Sequence, residues 1–357
     1  MARVAIAISG GVDSSVAAAL LKEKGYEVIG LHMKLYRGPE NEIRNKSCCS
    51  IEETTDARLA CHRLEIPFYA IDYQQEFRET VINYFIEGYS DGITPNPCVM
   101  CNKKIKSSLL LKKATELDCE HLATGHYARI CLNPDTGKKQ LSRPQDLRKD
   151  QTYFLHGLQS DDLPRMLFPL SELTKTEVRN IARKLKLSTA DKHDSQEVCF
   201  VPNDYREFLK KELKHPPLPG IFTSLSGKVL GEHQGLPFYT IGQRKGLGLS
   251  NKIPYYVVKI DKEQNRIVLG KEEDLYSKTV SVSNVNWVSI SAPTKPISAS
   301  VKLRYAHHGA PATLIPVSTN KVRLELKIPE RAVTPGQAAV FYKDSILLGG
   351  GKIDYSN

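Results

Sequence analysis

The sequence predicts an α/β protein that begins with a parallel sheet covered by helices on both faces and continues into small all-β modules. The chain has 357 residues, and because one hydrophobic core seldom serves more than about 250–300 residues, we expect two or three domains. Apolar runs typical of strands alternate with helical patterns over residues 1–135, as expected for successive strand–helix units. Beyond His215–Gly220 the pattern changes to short alternating runs between turn residues, which indicates β structure.

Each element of the N-terminal region is supported by its own pattern. A run of small β-formers predicts the first strand at Val4–Ile8. An Ala- and Leu-rich segment predicts a helix from Ser14 to Lys24, because Gly25 is suited to the left-handed cap that ends a helix. Further apolar runs predict strands at Tyr26–Met33, Phe68–Ile71 and His121–Gly125.

Capping residues and prolines mark the later boundaries. Thr174 and Glu177 have the spacing of a capping box, and a single apolar stripe continues the predicted helix to Leu187. The segment His215–Gly220 contains three prolines and is predicted to be a linker. The β region that follows is expected to form one module, or two that join near Tyr276.

Composition excludes several classes of protein. The chain is 41% hydrophobic and 25% charged, which is ordinary for a globular protein and argues against a disordered, collagenous or coiled-coil chain. No apolar run approaches the ~20 residues needed to cross a bilayer, and the first residues do not have the length of a secretion signal. We therefore expect a cytoplasmic protein with reduced thiols. The formal net charge of +10 indicates a polyanionic partner such as nucleic acid.

The clearest local motif is Ser9-Gly10-Gly11-Val12-Asp13-Ser14-Ser15, between the first strand and the first helix. Glycines let backbone N–H groups approach an anion, the serines add hydroxyl donors, and the helix N-terminus adds a positive dipole. Asp13 could bind a Mg²⁺ ion that bridges phosphates. The motif is neither the lysine-containing phosphate loop nor the dinucleotide fingerprint. A Gly-Ser turn without a ligand is the alternative interpretation.

A second motif, Thr94-Pro95-Asn96-Pro97-Cys98-Val99-Met100-Cys101-Asn102, holds two cysteines. We expect a helix to begin after Asn102, and a thiol beside a helix N-terminus and several lysines has a lowered pKa. Cys101 is therefore a candidate nucleophile. A zinc site, a disulfide and an inert buried thiol are the competing interpretations, although zinc normally requires a second such pair.

The remaining cysteines carry weaker signals. Cys199 lies far along the chain, so that only the fold could bring it to Cys101. Cys61 and Cys119 lie in apolar-patterned segments and are expected in the core. No role is predicted for three others: Cys48, Cys49 and Cys131.

Taken together, the motifs resemble those of the bacterial tRNA-specific 2-thiouridylase family, within the ATP pyrophosphatase superfamily that shares the SGGxDS loop. The resemblance covers nearly the whole chain. Besides the two motifs above, it rests on Leu122-Ala123-Thr124-Gly125-His126-Tyr127, Lys149-Asp150-Gln151-Thr152-Tyr153-Phe154-Leu155, the DSQEVCFVP segment around Cys199, Gly242-Gln243-Arg244-Lys245-Gly246-Leu247-Gly248 and Thr334-Pro335-Gly336-Gln337.

This resemblance implies a division into three domains. A catalytic domain with the Rossmann-like fold of the superfamily would occupy residues 1–205. A central, mostly β domain would occupy residues 206–276, and a C-terminal β-barrel that binds tRNA would occupy residues 277–357.

The resemblance also assigns roles to individual residues. Cys101 matches the nucleophile and Cys199 the cysteine that carries a persulfide. The residues that match the ATP-binding positions are Ile8, Ser9, Gly10, Gly11, Val12, Asp13, Ser14, Ser15, Met33 and Gly125. The residues that match positions near the target base or elsewhere on the tRNA are Asn96, Pro97, Cys98, His126, Lys149, Asp150, Gln151, Arg304, Tyr305 and Gln337.

One position departs from the family pattern. Many members have Asp where this chain has Cys98, and a thiol with an ordinary pKa of about 8.5 is a different acid or base. The change also leaves Cys98, Cys101 and Cys199 as three thiolates that could hold a [4Fe–4S] cluster with one open iron. A persulfide route and a cluster route therefore both remain open.

The implied reaction is ATP-dependent 2-thiolation of the wobble uridine of tRNA. Adenylation would make the O2 of uracil a good leaving group, and the Cys199 persulfide would supply sulfur. Cys101 would attack the persulfide and release sulfide, or receive the disulfide formed as sulfur leaves. Expected partners are the tRNA anticodon stem-loop and a sulfur-carrier protein or cysteine desulfurase. A ligase or amidotransferase acting on a small molecule and a non-catalytic RNA-binding protein are the alternative functions.

Overall fold

The computed structural model describes residues 1–36, 51–192, 198–201, 204–249 and 254–355. The chain forms two compact units, which are described separately below. The first comprises Met1–Val81, Cys98–Pro202 and Ser345–Leu347, and the second comprises Ile82–Pro97, Asn203–Asp344 and Leu348–Asn357. The predicted three-domain division at residues 205 and 276 stays a prediction.

The first unit is built on a parallel sheet of five strands in the order β3-β2-β1-β4-β7. Val4 and Ile6 of the central strand are fully buried towards one face, and Ala5 is fully buried towards the other. Burial on both faces explains why this strand is a continuous apolar run rather than an alternating one. The strands of this unit are β1 (Arg3–Ala7), β2 (Glu27–Lys34), β3 (Phe68–Asp72), β4 (His121–Thr124), the hairpin β5 (Arg129–Leu132) with β6 (Lys139–Ser142), and β7 (Met166–Leu167).

Helices cover this sheet. One core cluster joins Val4 and Ile6 to Val16, Ala57 and Val178, which lie on three different helices. The predicted α/β fold is thus confirmed. The α-helices of residues 1–192 are α1 (Val12–Glu23), α2 (Ile51–Arg63), α3 (Gln74–Phe77), α4 (Asn83–Ser90), α5 (Pro97–Cys101), α6 (Leu111–Glu116) and α7 (Lys175–Lys184), of which α4 belongs to the second unit. Short 3₁₀ helices occur at Leu147–Lys149, Thr152–Leu155 and Ser160–Arg165.

The helix that carries Cys101 begins earlier than predicted. It starts at Pro97 rather than after Asn102, continues through a π-helical stretch at Asn102–Leu110 and ends with α6 at Glu116. Proline suits a first helical position, because its missing N–H would have no partner there. Cys101 therefore lies beyond the first turn, where the influence of the helix dipole is weaker than the sequence argument assumed.

The second predicted helix of the catalytic region is confirmed. It spans Lys175–Lys184, and Thr174 caps it. The Thr174 hydroxyl accepts a hydrogen bond from the Glu177 backbone N–H at 3.3 Å, and the Glu177 carboxylate accepts one from the Thr174 N–H at 2.7 Å. This is the reciprocal capping box that the sequence spacing predicted.

The second unit contains a four-stranded sheet and a closed barrel. The sheet has the order β10-β11-β8-β9, and the barrel has the order β12-β15-β14-β13-β16-β17, closed by pairing of β12 with β17. In β15, Val322, Leu324 and Leu326 are buried while Arg323 and Glu325 are exposed, which is the period-two pattern expected of a barrel wall. The predicted mostly-β central region and C-terminal barrel are thus confirmed.

The remaining bounds complete the fold. Helix α8 spans Tyr205–Glu212, and 3₁₀ helices occur at Leu236–Phe238 and Glu272–Leu275. Within the parts of the chain that the structure describes, no helix has the length and apolarity to cross a membrane. The strands are β8 (Gly220–Ser224), β9 (Val229–His233), β10 (Tyr256–Asp261), β11 (Arg266–Gly270), β12 (Tyr276–Trp287), β13 (Ile297–Lys302), β14 (Ala310–Ser318), β15 (Lys321–Arg331), β16 (Ala338–Lys343) and β17 (Ile346–Ile353).

Candidate active site at the carboxyl edge of the parallel sheet

The loop between β1 and α1 has the backbone shape of an anion site. Gly10 adopts a φ of +75°, and a Cβ there would collide with the backbone carbonyl of Glu53. Gly11 is the N-cap of α1 and has no side chain with which to satisfy the first backbone N–H groups of the helix. These N–H groups are therefore suited to bind a phosphate, which the helix dipole also favours.

The serine hydroxyls brace this loop. The Ser14 hydroxyl accepts from the Ser9 backbone N–H and donates to the Gly11 carbonyl, both at 3.2 Å. The Ser15 hydroxyl donates to the same carbonyl at 2.9 Å. Ser14 and Ser15 are buried, whereas Ser9 is exposed. The two buried hydroxyls thus fix the loop conformation, and the hydroxyl of the exposed Ser9 lies 3.2 Å from that of Ser14.

Asp13 is held by two side chains from distant parts of the chain. The Lys175 ammonium lies 2.7 and 2.8 Å from its two carboxylate oxygens, and the Tyr127 hydroxyl donates to one of them at 2.9 Å. Tyr127 is positioned in turn by Gln151, whose side-chain oxygen accepts from the Tyr127 backbone N–H at 2.9 Å. The fold thus brings two further motifs, those of Tyr127 and Gln151, to the loop.

Sequence reasoning missed two cations at this site. Lys175 could have been found from the capping box, which places it at the first position of α7 and therefore at a helix end. Lys192 donates to the Gly10 carbonyl at 3.4 Å and pairs with Asp56 at 2.8 Å. No sequence signal marked Lys192, because its contacts depend on tertiary packing alone.

Gly125 lies directly against the first turn of α1. A Cβ at this position would be 2.7 Å from the Ser14 backbone nitrogen and 2.9 Å from the Asp13 carbonyl carbon. Only glycine permits this approach. The end of β4 therefore abuts the loop, and the nucleotide contact of Gly125 stays a prediction.

The end of β2 is fixed to the same edge through His32. Its Nδ1 lies 2.9 Å from the Ile8 carbonyl and its Nε2 lies 3.0 Å from the Thr54 hydroxyl. Burial lowers the pKa of His32, although the Ile8 carbonyl opposes the change, so the imidazole is neutral. Met33, the next residue and a predicted nucleotide contact, is half-buried.

The helix that carries Cys101 reaches the end of β4. Lys106 lies 3.5 Å from the His126 Nε2, and the His126 Nδ1 lies 2.7 Å from the Thr124 hydroxyl. Burial, and then the Lys106 charge, hold the pKa of His126 well below its usual range. Cys101 is 9% exposed, so its thiol is shielded from bulk water.

The Cys199 segment packs near the end of β2. The ring of Phe200 makes edge contacts with Phe77 at 5.7 Å and with Tyr36 at 6.3 Å between centroids. Tyr36 follows β2 closely, and Cys199 itself is half-buried. Because parallel strands end at the same edge of a sheet, both cysteine segments and the phosphate loop lie along the carboxyl edge, where ligands bind in such folds.

The residues present do not assemble a metal centre. Within the described ranges, no three His, Cys, Asp or Glu side chains lie together as a metal site requires. Cys98, Cys101 and Cys199 therefore do not fit a [4Fe–4S] cluster in this arrangement. For Mg²⁺, Lys175 already contacts both oxygens of Asp13, so a bound ion would rely mainly on the phosphates of ATP.

The predicted tRNA contacts of the first unit have different surroundings. Asp150 is 5% exposed, and one of its oxygens accepts from both the backbone N–H and the hydroxyl of Thr152, at 3.0 and 2.5 Å. These hydrogen bonds give Asp150 a structural role, because they fix the start of the Thr152–Leu155 turn. Lys149 and Gln151 are half-buried, and Gln151 is engaged with Tyr127.

In the second unit, the segment before Cys98 is anchored to a turn of the barrel. The Thr94 backbone N–H donates to the Pro335 carbonyl at 2.9 Å, and the Gln337 side chain donates to the Thr94 carbonyl at 3.2 Å. Gly336 has a φ of +91°, and a Cβ there would be 2.9 Å from the same carbonyl. Gln337 thus positions the segment that contains Asn96 and Pro97.

Arg304 and Tyr305 are exposed on the second unit. The Tyr305 side chain is 40% exposed, and the Lys302 ammonium lies 5.8 Å from its ring centroid. The Arg304 guanidinium donates to the Arg331 carbonyl at 3.3 Å. An exposed ring beside cations is suited to stack on a base near phosphates.

Profiles of three protein families match this chain. They are described as the tRNA methyl transferase HUP domain over residues 2–203, the tRNA methyl transferase PRC-barrel domain over residues 206–271 and the aminomethyltransferase β-barrel domain over residues 277–353.

Curated relatives match over nearly the whole chain. One from Carboxydothermus hydrogenoformans, named tRNA-specific 2-thiouridylase MnmA, is 48% identical over 99% of this chain and 97% of its own length. A relative of the same name from Symbiobacterium thermophilum is also 48% identical, over 99% of this chain and 92% of its own. A crystal structure of a 4-thiouridine synthetase–RNA complex with bound ATP matches more distantly, with 15% identity, a TM-score of 0.38 and coverage of 59% of this chain and 50% of that chain.

Proposed function

The chain belongs to the tRNA-specific 2-thiouridylase family, and we propose that it uses ATP to replace the O2 of the wobble uridine of tRNA with sulfur. The observation that supports this most is the gathering of two distant cysteine segments at the sheet edge that also holds the SGGVDSS loop. A phosphate loop alone would suit many ATP-dependent enzymes. Two cysteine segments that pack near strand ends of the same sheet suit a sulfur transfer.

In the first step, uracil O2 attacks the α-phosphate of ATP and pyrophosphate leaves. The N-terminus of α1 and the loop backbone bind the phosphates. Lys175 and Lys192 contact Asp13 and Gly10 respectively. Each ammonium is paired with a carboxylate, Asp13 or Asp56, and lies beside the loop, where it can donate to the negative charge that develops on the leaving group. Gly125 keeps β4 close enough to α1 to hold this geometry.

In the second step, the outer sulfur of the Cys199 persulfide reaches C2 of the adenylated base, and the C2–O bond breaks to release AMP. In one route the terminal sulfur attacks C2, the Cys101 thiolate then attacks the Cys199 sulfur, and the S–S bond of the persulfide breaks. In the other, Cys101 releases hydrosulfide first and the hydrosulfide attacks. Both leave a Cys101–Cys199 disulfide, which an external thiol must reduce.

The tRNA is proposed to bind through its anticodon stem-loop, with the target base near Asn96, Pro97 and Cys98. Arg304 and Tyr305 supply a charge and a stacking face on the barrel. A sulfur-carrier protein or a cysteine desulfurase would load Cys199. We expect this reaction in the cytoplasm, where thiols stay reduced.

The function is tested by mass spectrometry of tRNA nucleosides after incubation with ATP and a persulfide donor. We expect 2-thiouridine and one pyrophosphate per sulfur with the wild type. Cys101→Ser and Cys199→Ser should each lower thiolation at least about 1,000-fold, since each removes a covalent participant. Cys131→Ser removes another half-buried cysteine, from the β5–β6 hairpin, and should behave as the wild type.

Other outcomes would identify the alternatives. Pyrophosphate release that does not depend on tRNA would indicate a ligase acting on a small molecule. Binding of tRNA without sulfur incorporation, unchanged by Cys101→Ser, would indicate a non-catalytic RNA-binding protein. Activity confined to preparations that contain iron and labile sulfide would favour the cluster route.

A further inference from the structure

A basic pocket lies on the outer side of the helix that carries Cys101. It has a volume of about 370 Å³ and is lined by four cations and one carboxylate, all within the first unit. Lys103, Lys104 and Lys112 come from the helix, while Arg165 and Asp162 come from the 3₁₀ turn before β7. The pocket takes no part in the nucleotide site described above, and we call it the Lys103 pocket.

Packing fixes Lys103, one of the two half-buried cations, at the pocket wall. The aliphatic stem of Lys103 packs against Gly157, where a Cβ would be only 3.1 Å from the Lys103 Cβ. Partial burial and the neighbouring Lys104 charge lower the pKa of Lys103. An anion in the pocket would relieve both effects, because it would replace lost hydration and oppose the Lys104 charge.

The positive charge of the pocket is not balanced from within. Over the residues that the structure describes, no carboxylate lies within 4 Å of any of the four cations, although Asp162 attracts Arg165 and Glu116 attracts Lys112 at longer range. Arg165 instead donates to the Thr115 hydroxyl at 2.8 Å and to the Cys119 carbonyl at 3.5 Å. Asp162 is the only acid in the lining. The pocket therefore carries an excess of three positive charges when these groups are ionised.

The cations are spread along the helix rather than converging on one point. Lys103 and Lys112 are nine residues apart, or about two turns of a helix that is π-helical over most of this interval. A single small anion could contact only part of this row. A chain of phosphates could contact all of it, because a nucleic acid carries a negative charge on every nucleotide.

We propose that the Lys103 pocket binds backbone phosphates of the tRNA substrate and so holds the RNA beside the helix whose first residues include Cys98 and Cys101. This inference rests on the proposed function, since it takes tRNA to be the substrate. Lys103 follows Cys101 by two residues, so a phosphate bound there is tied to the position of the nucleophile. Asp162 weakens the attraction and keeps the affinity below what four cations alone would give.

The test compares two charge-removing variants by tRNA binding as a function of salt. Lys104→Gln/Lys112→Gln removes two exposed cations of the pocket. Lys24→Gln/Lys184→Gln is the control and removes two exposed cations at the C-terminal ends of α1 and α7. These positions are at the opposite ends of the two helices from the Asp13–Lys175 ion pair. If each pocket lysine contacts one phosphate, the salt slope should become shallower by about 1.4–1.8 and the Kd at 0.1 M salt should rise about 25- to 60-fold.

Asp162→Asn should change the affinity for tRNA in the opposite direction. It removes the one negative charge of the lining and should tighten tRNA binding by up to about 5- to 8-fold at 0.1 M salt. Thermal unfolding of all variants checks that the fold is intact. In the thiolation assay, the lysine variant should show a raised KM for tRNA, because the lost contacts are to the RNA backbone.

Three results would overturn the proposal. Pocket variants whose Kd and salt slope match those of Lys24→Gln/Lys184→Gln would show that RNA does not use the pocket. Normal tRNA binding with impaired sulfur loading from a donor protein would assign the pocket to a protein partner. Weaker inhibition by inorganic phosphate with unchanged tRNA affinity would assign it to a small anion. Failure of the wild type itself to bind or thiolate tRNA would instead refute the proposed function.

Discussion

Replacing Gly125 with alanine is the most direct test of the nucleotide site. The added Cβ would lie 2.7 Å from the Ser14 nitrogen, and ordinary contact begins at 3.4 Å, so β4 and α1 must separate by about 0.7 Å. Both of the nearest neighbours are backbone atoms, which cannot rotate away as a side chain can. The start of α1 and the loop before it must therefore move.

The structure gives the size of the expected effect. A displacement approaching 1 Å at positioning groups costs on the order of 100-fold in rate, or about 2.7 kcal/mol of transition-state stabilisation. We expect Gly125→Ala to lower kcat/KM for ATP by about 10- to 100-fold. The free energy of unfolding should fall by about 1–3 kcal/mol, as for other overpacked sites.

The assay is the ATP dependence of tRNA-dependent pyrophosphate release, measured with saturating tRNA. Gly137→Ala is the matched control, because Gly137 has a φ of +68° but an added Cβ there would have no atom within 4 Å. It should lose stability through backbone strain and keep the wild-type kcat/KM for ATP. A Gly125→Ala enzyme within about threefold of the wild type would refute the claim that this contact sets the loop position.

Three further predictions concern the charges and contacts around the site. In a double-mutant cycle, Asp13→Asn and Lys175→Met should couple by about 1–3 kcal/mol in the free energy of unfolding, because each substitution leaves the remaining charged side chain partly buried without its partner. Strictly additive losses of stability would contradict the ion pair. Burial lowers the pKa of His156 to about 4, so the unfolded chain binds the proton more readily than the folded one. Protonation of His156 should therefore lower the free energy of unfolding by about 3 kcal/mol as the pH drops from about 6.5 to 4. Denaturant titrations of His156→Gln should show a flatter pH dependence of that free energy, and an unchanged dependence would contradict a neutral buried imidazole. Gln337→Ala removes the hydrogen bond to the Thr94 carbonyl and should raise the KM for tRNA more than it changes the KM for ATP; equal effects on both would indicate general destabilisation.

Much of the fold was accessible from the sequence because its signals are local. The run Val4–Ile8, the glycine after the first helix and the capping box at Thr174 each depend on residues within one element. The structure confirms the strand and both helices, with shifts of a few residues at their ends. The start of the Cys101 helix was predicted wrongly, after Asn102, although Pro97 is a favourable first helical residue and marks the observed start.

The parts of the site that escaped prediction depend on long-range packing. Lys175 meets Asp13, and Lys192 meets Gly10, only because α7 and the segment after it return to the start of α1. The role of Asp150 in binding Thr152 was likewise hidden, because a carboxylate in a polar motif gives no sign of its burial. The sequence indicated which residue types suit the chemistry, but only the folded structure shows which of these side chains hold neighbouring residues in position.

Closure of the barrel has a consequence for how the protein folds. The pairing of Val282 with Ile353 brings together residues that are separated in the chain by the other barrel strands. The chain therefore loses loop-closure entropy before the contacts of this pairing can stabilise it. Until that moment β12 and β17 each expose an edge that can recruit a strand from another chain. The slow step of folding and the main opportunity for aggregation should therefore coincide at this seam.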